Sequence, residues 1–329
     1  MTRLILTTDG SAALALEEAG RADIVIPLMP RLVWGPLPSD AELAAILAAR
    51  STQSPVSHWL DYASSTIKKI GGRDLGLIDL CQRCEAVELW METEPNAQLV
   101  LIWLLDYLHS HANAATIANL ILCHVDASLG GALPKQLAKW RFPTVGITND
   151  HLEVASLAWQ AYCAPTPQPW FNLLNKDLSV LPQLRRCVLE LLDELPGRAT
   201  GLGASEMRIL DLISGGYWHP FDLRPLYRER FQRRVFGESE VGTLLDGLAL
   251  APVPAVSGLA EWPFTIETGD LRSRYERHQE SRLSLTPLGK AILLQAEDFS
   301  RHNPIHRWWG GTELTNDRLW RWDPVLIEP

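Results

Sequence analysis

The sequence predicts an α/β N-terminal domain with a mostly parallel sheet, followed by a winged-helix-like, mainly α C-terminal domain. Short apolar runs alternate with helical segments from the N-terminus, which is typical of an α/β domain. Residues 164–169 hold three prolines in six positions, a composition typical of a linker. Several helices, two strand-like arms and a closing helix follow Thr200. A chain of 329 residues also exceeds the size of one ordinary domain.

These observations divide the chain into four segments. Tryptophan is unusually frequent, and four of the 13 tryptophans lie in the last 22 residues. Because exposed indole rings would form a sticky patch, we expect this tail to pack on the rest of the protein. The segments are an α/β domain (1–164), a Pro-rich linker and connecting helix (165–200), a winged-helix-like domain (201–300) and a docked Trp-rich tail (301–329).

The composition narrows the classes of partner and compartment. A net charge of −9 and a pI near 5.5 argue against a protein that coats nucleic acid or an anionic membrane. The N-terminus lacks the apolar core of a signal peptide, and the most apolar run, 99–105, is far too short to span a bilayer. Five scattered cysteines suit a reducing compartment. We therefore expect a cytoplasmic protein without a membrane anchor.

The N-terminal elements follow from apolar runs and their boundaries. Residues 3–7 form a strand that stops at a turn, 12–19 are rich in helix formers, and 23–27 form a second strand. We expect four or five strands, mostly parallel, with helices on both faces. The remaining elements predicted in this domain are a helix 41–49 capped by Ser39 or Asp40, a helix 55–72, a strand 86–91, a helix capped by Asn96 and ending at His109, strands 118–125 and 144–148, and a helix 150–163.

The C-terminal elements resemble the order of a winged helix–turn–helix. Residues 180–195 read as an amphipathic helix that Pro196 closes. The arms 264–266 and 282–285 would form a hairpin joined by a polar, Arg-rich loop. The helices predicted around this hairpin are 206–213 with Ser205 as its cap, 220–236, 239–250 and, opened by Pro287, 288–296.

Several short motifs together resemble a known family. They include Asp9-Gly10-Ser11 after the first strand, Trp34-Gly35-Pro36, and Leu89-Trp90 with Gln98-Leu99 at the buried helix. Others are the segment from Gly201 to Glu206, Leu285-Thr286 with Gly289, and, most specifically, Arg307-Trp-Trp-Gly-Gly-Thr312 with Trp320-Arg-Trp322. In these motifs the chain resembles bacterial proteins of the "domain of unknown function 1835" family, whose usual first turn has Gly before Asp-Ser. The resemblance covers most of the chain and implies no chemistry.

The first candidate site is the turn formed by Thr8, Asp9, Gly10 and Ser11. Ligands of open α/β sheets bind beyond the carboxyl ends of the strands, and the next helix offers free N–H groups to an anion. Asp9 would act there as a hydrogen-bond acceptor, a metal ligand or a base, with Ser11 as a donor. The alternative is that Asp9 or Ser11 simply caps the helix, as these residues commonly do.

Three further features are candidates for the same crevice. Trp34 and Gly35, on a Pro-stiffened loop, would stack a flat ligand or anchor the loop in the core. Glu92 and Gln98 follow the next strand and would line the crevice. In the tail, Arg307 would grip an anion as part of a lid, unless the tail is a strap whose tryptophans bury against both domains.

DNA binding, metals and nucleophiles receive little support from the sequence. The predicted reading helix 239–250 is acidic, so it would repel phosphates, although two arginine groups argue the other way. Cys81 and Cys84 have Cys-x-x-Cys spacing without a second ligand pair, so we predict no metal site. No catalytic triad or nucleophile elbow is present, and no cofactor can be named. The arginines are Arg228, Arg230, Arg233 and Arg234 beside the helix, and Arg272, Arg274 and Arg277 in the wing.

The leading hypothesis from the sequence is a small-molecule binding protein, with or without catalytic activity. Its N-terminal domain would hold a phosphorylated or nucleotide-like ligand over Asp9–Ser11, and its winged helix would serve assembly, self-association or partner contact. The alternative is a non-enzymatic regulator or scaffold that uses the winged helix for protein or DNA contacts.

Overall fold

In the computed structural model the chain divides into two compact units. The structure describes residues 2–52, 54, 57–63, 75–127, 129–223, 235–259 and 271–329. The N-terminal unit comprises Met1–Leu32, Leu37–Cys163 and Leu173–Cys187. The C-terminal unit comprises Val33–Pro36, Ala164–Asn172 and Val188–Pro329.

A five-stranded, mostly parallel sheet forms the centre of the N-terminal unit, as the sequence predicts. The strand order is β2-β1-β3-β4-β5, and only the last strand runs antiparallel to its neighbour. All four residues of β2 and four of the five in β1 are buried, as expected for strands covered on both faces. The strands are β1 (Arg3–Thr7), β2 (Ile24–Pro27), β3 (Ala86–Met91), β4 (Leu120–His124) and β5 (Thr144–Gly146).

Several helices of this unit begin at a short polar side chain that accepts from a free N–H group, as Asp9, Ser39 and Asn113 do. Ser39 rather than Asp40 caps the second helix, with a reciprocal bond from Glu42. Asn96 lies inside the fourth helix, so its predicted capping role is wrong; its amide bridges Leu32 N–H and the Pro30 carbonyl. The helices are α1 (Gly10–Glu18), α2 (Asp40–Leu47), α3 (Leu77–Gln82), α4 (Pro95–His111), α5 (Ala114–Ala118), α6 (Pro134–Leu137) and α7 (Asn149–Tyr162).

The C-terminal unit is mainly helical, with short antiparallel strand pairs. Helix α9 contributes residues to both units, because the boundary falls at Cys187. The helices are α8 (Gln168–Asn172), α9 (Leu184–Leu192), α10 (Ala204–Ser214), α11 (Glu238–Ala249), α12 (Leu271–Glu280) and α13 (Pro287–Leu293), and the first strand pair is β6 (Val256–Ser257) with β7 (Ser284–Leu285).

Two predictions for this unit need correction. The predicted Arg-rich loop holds helix α12, so Arg272, Arg274 and Arg277 lie on a helix. Strand β7 pairs with Val256–Ser257, whereas the predicted arm 264–266 lies outside the described residues. Most of the predicted helix 220–236, with its arginine group, lies outside them as well, as does most of 55–72. The winged-helix arrangement therefore stays a prediction.

The tail folds as two small hairpins inside the C-terminal unit. Strands β8 (His306–Trp309) and β9 (Thr312–Thr315) pair around a turn in which Gly310 has φ +53°, the left-handed conformation that glycine favours. Strands β10 (Arg321–Trp322) and β11 (Leu326–Ile327) form the second pair. The Trp309 indole donates to the Leu191 carbonyl and the Trp322 indole to Asp193. The tail is thereby hydrogen-bonded to the end of α9.

None of the helices in the described ranges combines the length and the apolar character needed to cross a bilayer.

We expect opposite effects from two glycine-to-alanine changes. A Cβ at Gly289 would overlap the backbone carbonyl of Ala255, whereas a Cβ at Gly247 meets nothing within 4 Å. Gly289→Ala should therefore lower the free energy of unfolding by roughly 1–3 kcal/mol. Gly247→Ala, inside α11, should raise it by roughly 0.5–1 kcal/mol, because alanine favours the helix.

Urea unfolding followed by tryptophan fluorescence measures both changes. Equal effects of the two substitutions would contradict the close packing of α13 on Ala255.

Candidate functional site

The turn after β1 uses its polar groups within the chain. Asp9 is the N-cap of α1: its Oδ1 accepts from the Ala12 N–H at 2.7 Å and from the Ser11 hydroxyl at 2.5 Å. Its Oδ2 lies against the backbone of Gly130, where an added Cβ would approach within 2.9 Å. Gly10 is the first residue of α1, and Thr8 is half-buried. The capping alternative therefore accounts for the positions of Asp9 and Ser11.

Glu92 and Gln98 lie at the end of β3 and in α4, close to the same edge of the sheet. Glu92 is buried, and its Oε1 accepts from the Leu129 N–H at 2.5 Å. Gln98 donates from its amide to the Glu92 carbonyl at 2.6 Å. Because Leu129 is fully buried and Gly130 contacts Asp9, the segment after β4 covers this part of the sheet edge.

A different cavity, entirely inside the C-terminal unit, brings together three of the residues predicted from the sequence. Trp34, Gly35 and Arg307 line it, while the other predicted site residues belong to the N-terminal unit. Its volume is about 230 Å³. The complete lining, which defines the Arg307 cavity, is Val33, Trp34, Gly35, Glu194, Glu206, Phe236, Leu244, His306, Arg307, Trp308, Trp309 and Leu314.

The Arg307 guanidinium donates to the carboxylate of Glu206 and has further N–H donors that face no acceptor among the described residues. Its Nη1 donates to Glu206 Oε2 at 2.8 Å, and both side chains are largely buried. Its Nε and Nη2 are buried and have no hydrogen-bond partner in the described part of the chain. These two nitrogens form one edge of the planar guanidinium, the edge that binds carboxylates and phosphates through two parallel hydrogen bonds.

The position of Arg307 depends on the N-terminus of α10. Glu206, the third residue of α10, also accepts from the N–H of the N-cap Gly203 at 2.8 Å, which is one of the two bonds of a capping box. The predicted cap, Ser205, is instead the second residue of α10, and it donates from its N–H and hydroxyl to Glu194. A Cβ on Gly203 would come within 2.6 Å of the Glu194 carbonyl, so only glycine allows this approach.

Glu194 is a buried carboxyl in the cavity wall. Burial raises its pKa above the usual range, although both hydrogen bonds from Ser205 and the charge of Arg208 oppose this shift. Glu194 and Glu206 were not identified from the sequence. Glu206 occurs in the motif Gly201–Glu206 at the third position of a helix, which indicates capping, and nothing in the local sequence of Glu194 indicates a cavity.

Aromatic side chains form the apolar part of the cavity. Trp34 packs edge-to-face on Phe236, with ring centroids 5.5 Å apart, and is half-buried. Gly35 has φ +71°, which lets the chain turn directly after Trp34. Trp309 is buried against Trp170, whereas Trp308 is 36% exposed at the rim. Trp34 thus packs on Phe236 and lines the cavity, and its stacking on a ligand stays a prediction.

Metal and thiol chemistry find no support in the described residues. No group of three or more His, Cys, Asp or Glu side chains among them could hold a metal ion. Cys81 and Cys84 are buried, and burial raises their pKa values to about 12 and about 11. At neutral pH both groups are therefore thiols rather than reactive thiolates.

Comparison of the chain with known protein families and with curated proteins finds no match. The resemblance to the "domain of unknown function 1835" family stays a prediction.

Asp9 offers a test that separates capping from ligand contact. Asp9→Ala should lower the free energy of unfolding by about 1 kcal/mol, because the Ala12 N–H loses its acceptor. Asp9→Asn should preserve stability, since asparagine caps helices as well as aspartate does. Thermal and urea unfolding measure both variants. Equal destabilisation by the two substitutions would show that the charge of Asp9, and not its capping bond, is what matters.

The cysteines should react slowly in the native protein. All five are free and four are buried, and burial also raises the pKa of half-buried Cys163 to about 12. At pH 8 a thiol reagent such as DTNB should label native protein far more slowly than urea-unfolded protein, because thiols with unshifted pKa near 8.5 ionise there. Rapid labelling of Cys81 or Cys84 in native protein would contradict their burial.

Proposed function

We propose that the protein binds a small molecule that carries an oxyanion, and that the Arg307 cavity is its site. The observation that supports this proposal best is the Nε and Nη2 edge of Arg307, buried and without a partner in the described residues. A buried donor without an acceptor costs about 1–3 kcal/mol, and an oxyanion would remove that cost for two donors at once. Arg307 was predicted from the sequence to grip an anion; the cavity provides a place for it.

The rest of the cavity suits a compact ligand with a flat apolar part. Sites for drug-sized ligands usually have volumes of about 300–1,000 Å³, so a cavity near 230 Å³ fits a molecule of one or two rings. Trp34, Phe236 and Trp309 would pack on its rings. The oxyanion of the ligand would bond to Arg307 while its rings contact the aromatic side chains, and these two contacts together would fix the orientation of the ligand.

The Arg307 cavity is a better site than the turn Thr8–Ser11. Asp9 and Ser11 bond to each other and to the start of α1, and Gly130 lies against the Asp9 carboxylate. By contrast, two donors of Arg307 have no such internal partner in the described chain. We therefore move the ligand from the N-terminal unit, where the sequence placed it, to the C-terminal unit.

A winged-helix-like module remains our proposal for residues 201–300. Helices α10, α11 and α13 with the antiparallel pair β6 and β7 support it. We propose that this module serves assembly or protein contact. The start of α11 is acidic, and Glu240 in its first turn accepts from the N–H of the N-cap Gly237, which does not favour a DNA phosphate backbone. Cytoplasmic localisation is part of the same proposal.

Ligand-dependent stabilisation tests the site. At concentrations far above Kd, a ligand should raise the Tm of the wild type by roughly 5 °C. The panel would contain naphthoate, indoleacetate, phenyl phosphate and adenosine monophosphate. Arg307→Met should abolish the shift, since it removes the donor edge while keeping a side chain of similar length.

Arg301→Met is the matched control, because Arg301 is an exposed arginine of the same tail. It should retain the full shift. If no panel member stabilises the wild type, or if Arg307→Met and Arg301→Met respond alike, the proposal fails.

A further inference from the structure

We infer that the ligand of the Arg307 cavity is a ring-bearing monocarboxylate rather than a phosphate ester. This inference rests on the proposed function and specifies its ligand class. It follows from how the charges of the cavity wall are already matched, and from the shape of the donor edge that remains.

Among the described residues that line the cavity, no positive charge is left without a negative partner. Arg307 contributes one positive charge, and the Glu206 carboxylate, 2.8 Å away, already compensates it. His306 lies at the exposed rim with its Nε2 3.1 Å from Glu313, so any charge it carries has a partner as well. A ligand with one negative charge would share Arg307 with Glu206, whereas the described lining residues offer no further cation to a second ligand charge.

Glu194 leads to the same conclusion in either protonation state. Protonated, it is a neutral wall group bonded to Ser205. Ionised, it adds a negative charge that the charge of Arg208 favours. Neither state adds positive charge to the cavity, and an ionised Glu194 would repel a dianion further. Because charges interact strongly where water is excluded, this repulsion is larger than it would be at a surface.

The geometry of Arg307 also favours a planar head group. With Nη1 held by Glu206, the remaining edge presents Nε and Nη2 in the plane of the guanidinium. A carboxylate places two oxygens in that plane and forms both bonds without further demands. A phosphate monoester has a third non-bridging oxygen out of this plane, which would need another donor, whereas the neighbouring Glu206 carboxylate offers an acceptor.

Three probes of one ring system separate charge from shape. Naphthoate is a planar monoanion, naphthamide is its neutral counterpart, and naphthyl phosphate is a dianion at pH 8, since the second pKa of a phosphate ester is about 6. Calorimetric titration of the full chain at pH 8 should show naphthoate binding at least about tenfold more tightly than either of the others.

Two variants test the cause of this preference. Glu206→Gln removes the charge that competes for Arg307 and keeps an acceptor for the Gly203 N–H, so it should raise the affinity for naphthyl phosphate by about tenfold relative to naphthoate. Arg307→Lys keeps the charge but loses the planar edge, so it should weaken naphthoate about tenfold or more. Arg301→Lys, an exposed change in the same tail, should alter neither affinity.

The outcomes distinguish this inference from the function on which it rests. Tighter binding of naphthyl phosphate than of naphthoate by the wild type overturns the carboxylate assignment and leaves an oxyanion site in place. Equal affinities for naphthamide and naphthoate would show that the site does not require an anionic ligand, and would overturn the carboxylate assignment together with the oxyanion site. If no probe binds the wild type, the proposed function fails together with the inference. The wild-type ranking decides these points even if Glu206→Gln does not fold.

Discussion

The first turn of α10 is the place on which the C-terminal unit depends most. The free N–H groups at the start of a helix need acceptors, and here two glutamates provide them: Glu206 from inside the helix and Glu194 from the segment after α9. The Gly203 backbone lies so close to Glu194 that a side chain would not fit. Glu206 then uses its remaining capacity to hold Arg307. One capping arrangement therefore positions the cationic group of the cavity.

A second arginine of the tail, Arg321, uses both terminal nitrogens of its guanidinium within the same unit. Arg321 donates to Asp298, to the Ser300 hydroxyl and to the Gly197 carbonyl. Gly201, with φ +67°, allows the backbone to approach Asp298 at this point. Arg321 thus fastens the tail. Arg307, in strand β8 of the same tail, keeps the Nε and Nη2 edge of its guanidinium unpaired among the described residues. This contrast supports the binding role that we propose for Arg307.

The N-terminal unit shows how a sheet edge that often binds ligands can be closed by its own chain. The strand order places the turn after β1 beside the end of β3, at the point where connections run in opposite directions from β1 and β3. Here Leu129 and Gly130 approach the carboxylates of Glu92 and Asp9. The Glu92 carboxylate accepts a hydrogen bond from the Leu129 N–H, and the Asp9 carboxylate contacts the backbone of Gly130. Both carboxylates therefore contact the protein itself where a ligand was predicted.

Local sequence determined the parts of this protein that depend on neighbouring residues. The mostly parallel sheet, the turn at Asp9 and the cap at Ser39 all followed from apolar runs and turn residues. The chemistry of single side chains made Trp34 and Arg307 candidates, and both line the cavity. Periodicity and capping are short-range properties, and therefore one sequence suffices to read them.

Only the tertiary structure decided which of these residues meet. Trp34 and Arg307 are 273 positions apart by their numbering (307 − 34), and they line one cavity, while Asp9 lies in the other unit. Burial raises the pKa of Glu194. Gly203 and not the predicted Ser205 is the N-cap of α10, and the Ser205 hydroxyl donates to Glu194, which lies outside the helix. Desolvation and long-range hydrogen bonds arise when segments distant in sequence pack together. The residues adjacent to Glu194 or Arg307 in the chain therefore do not indicate them.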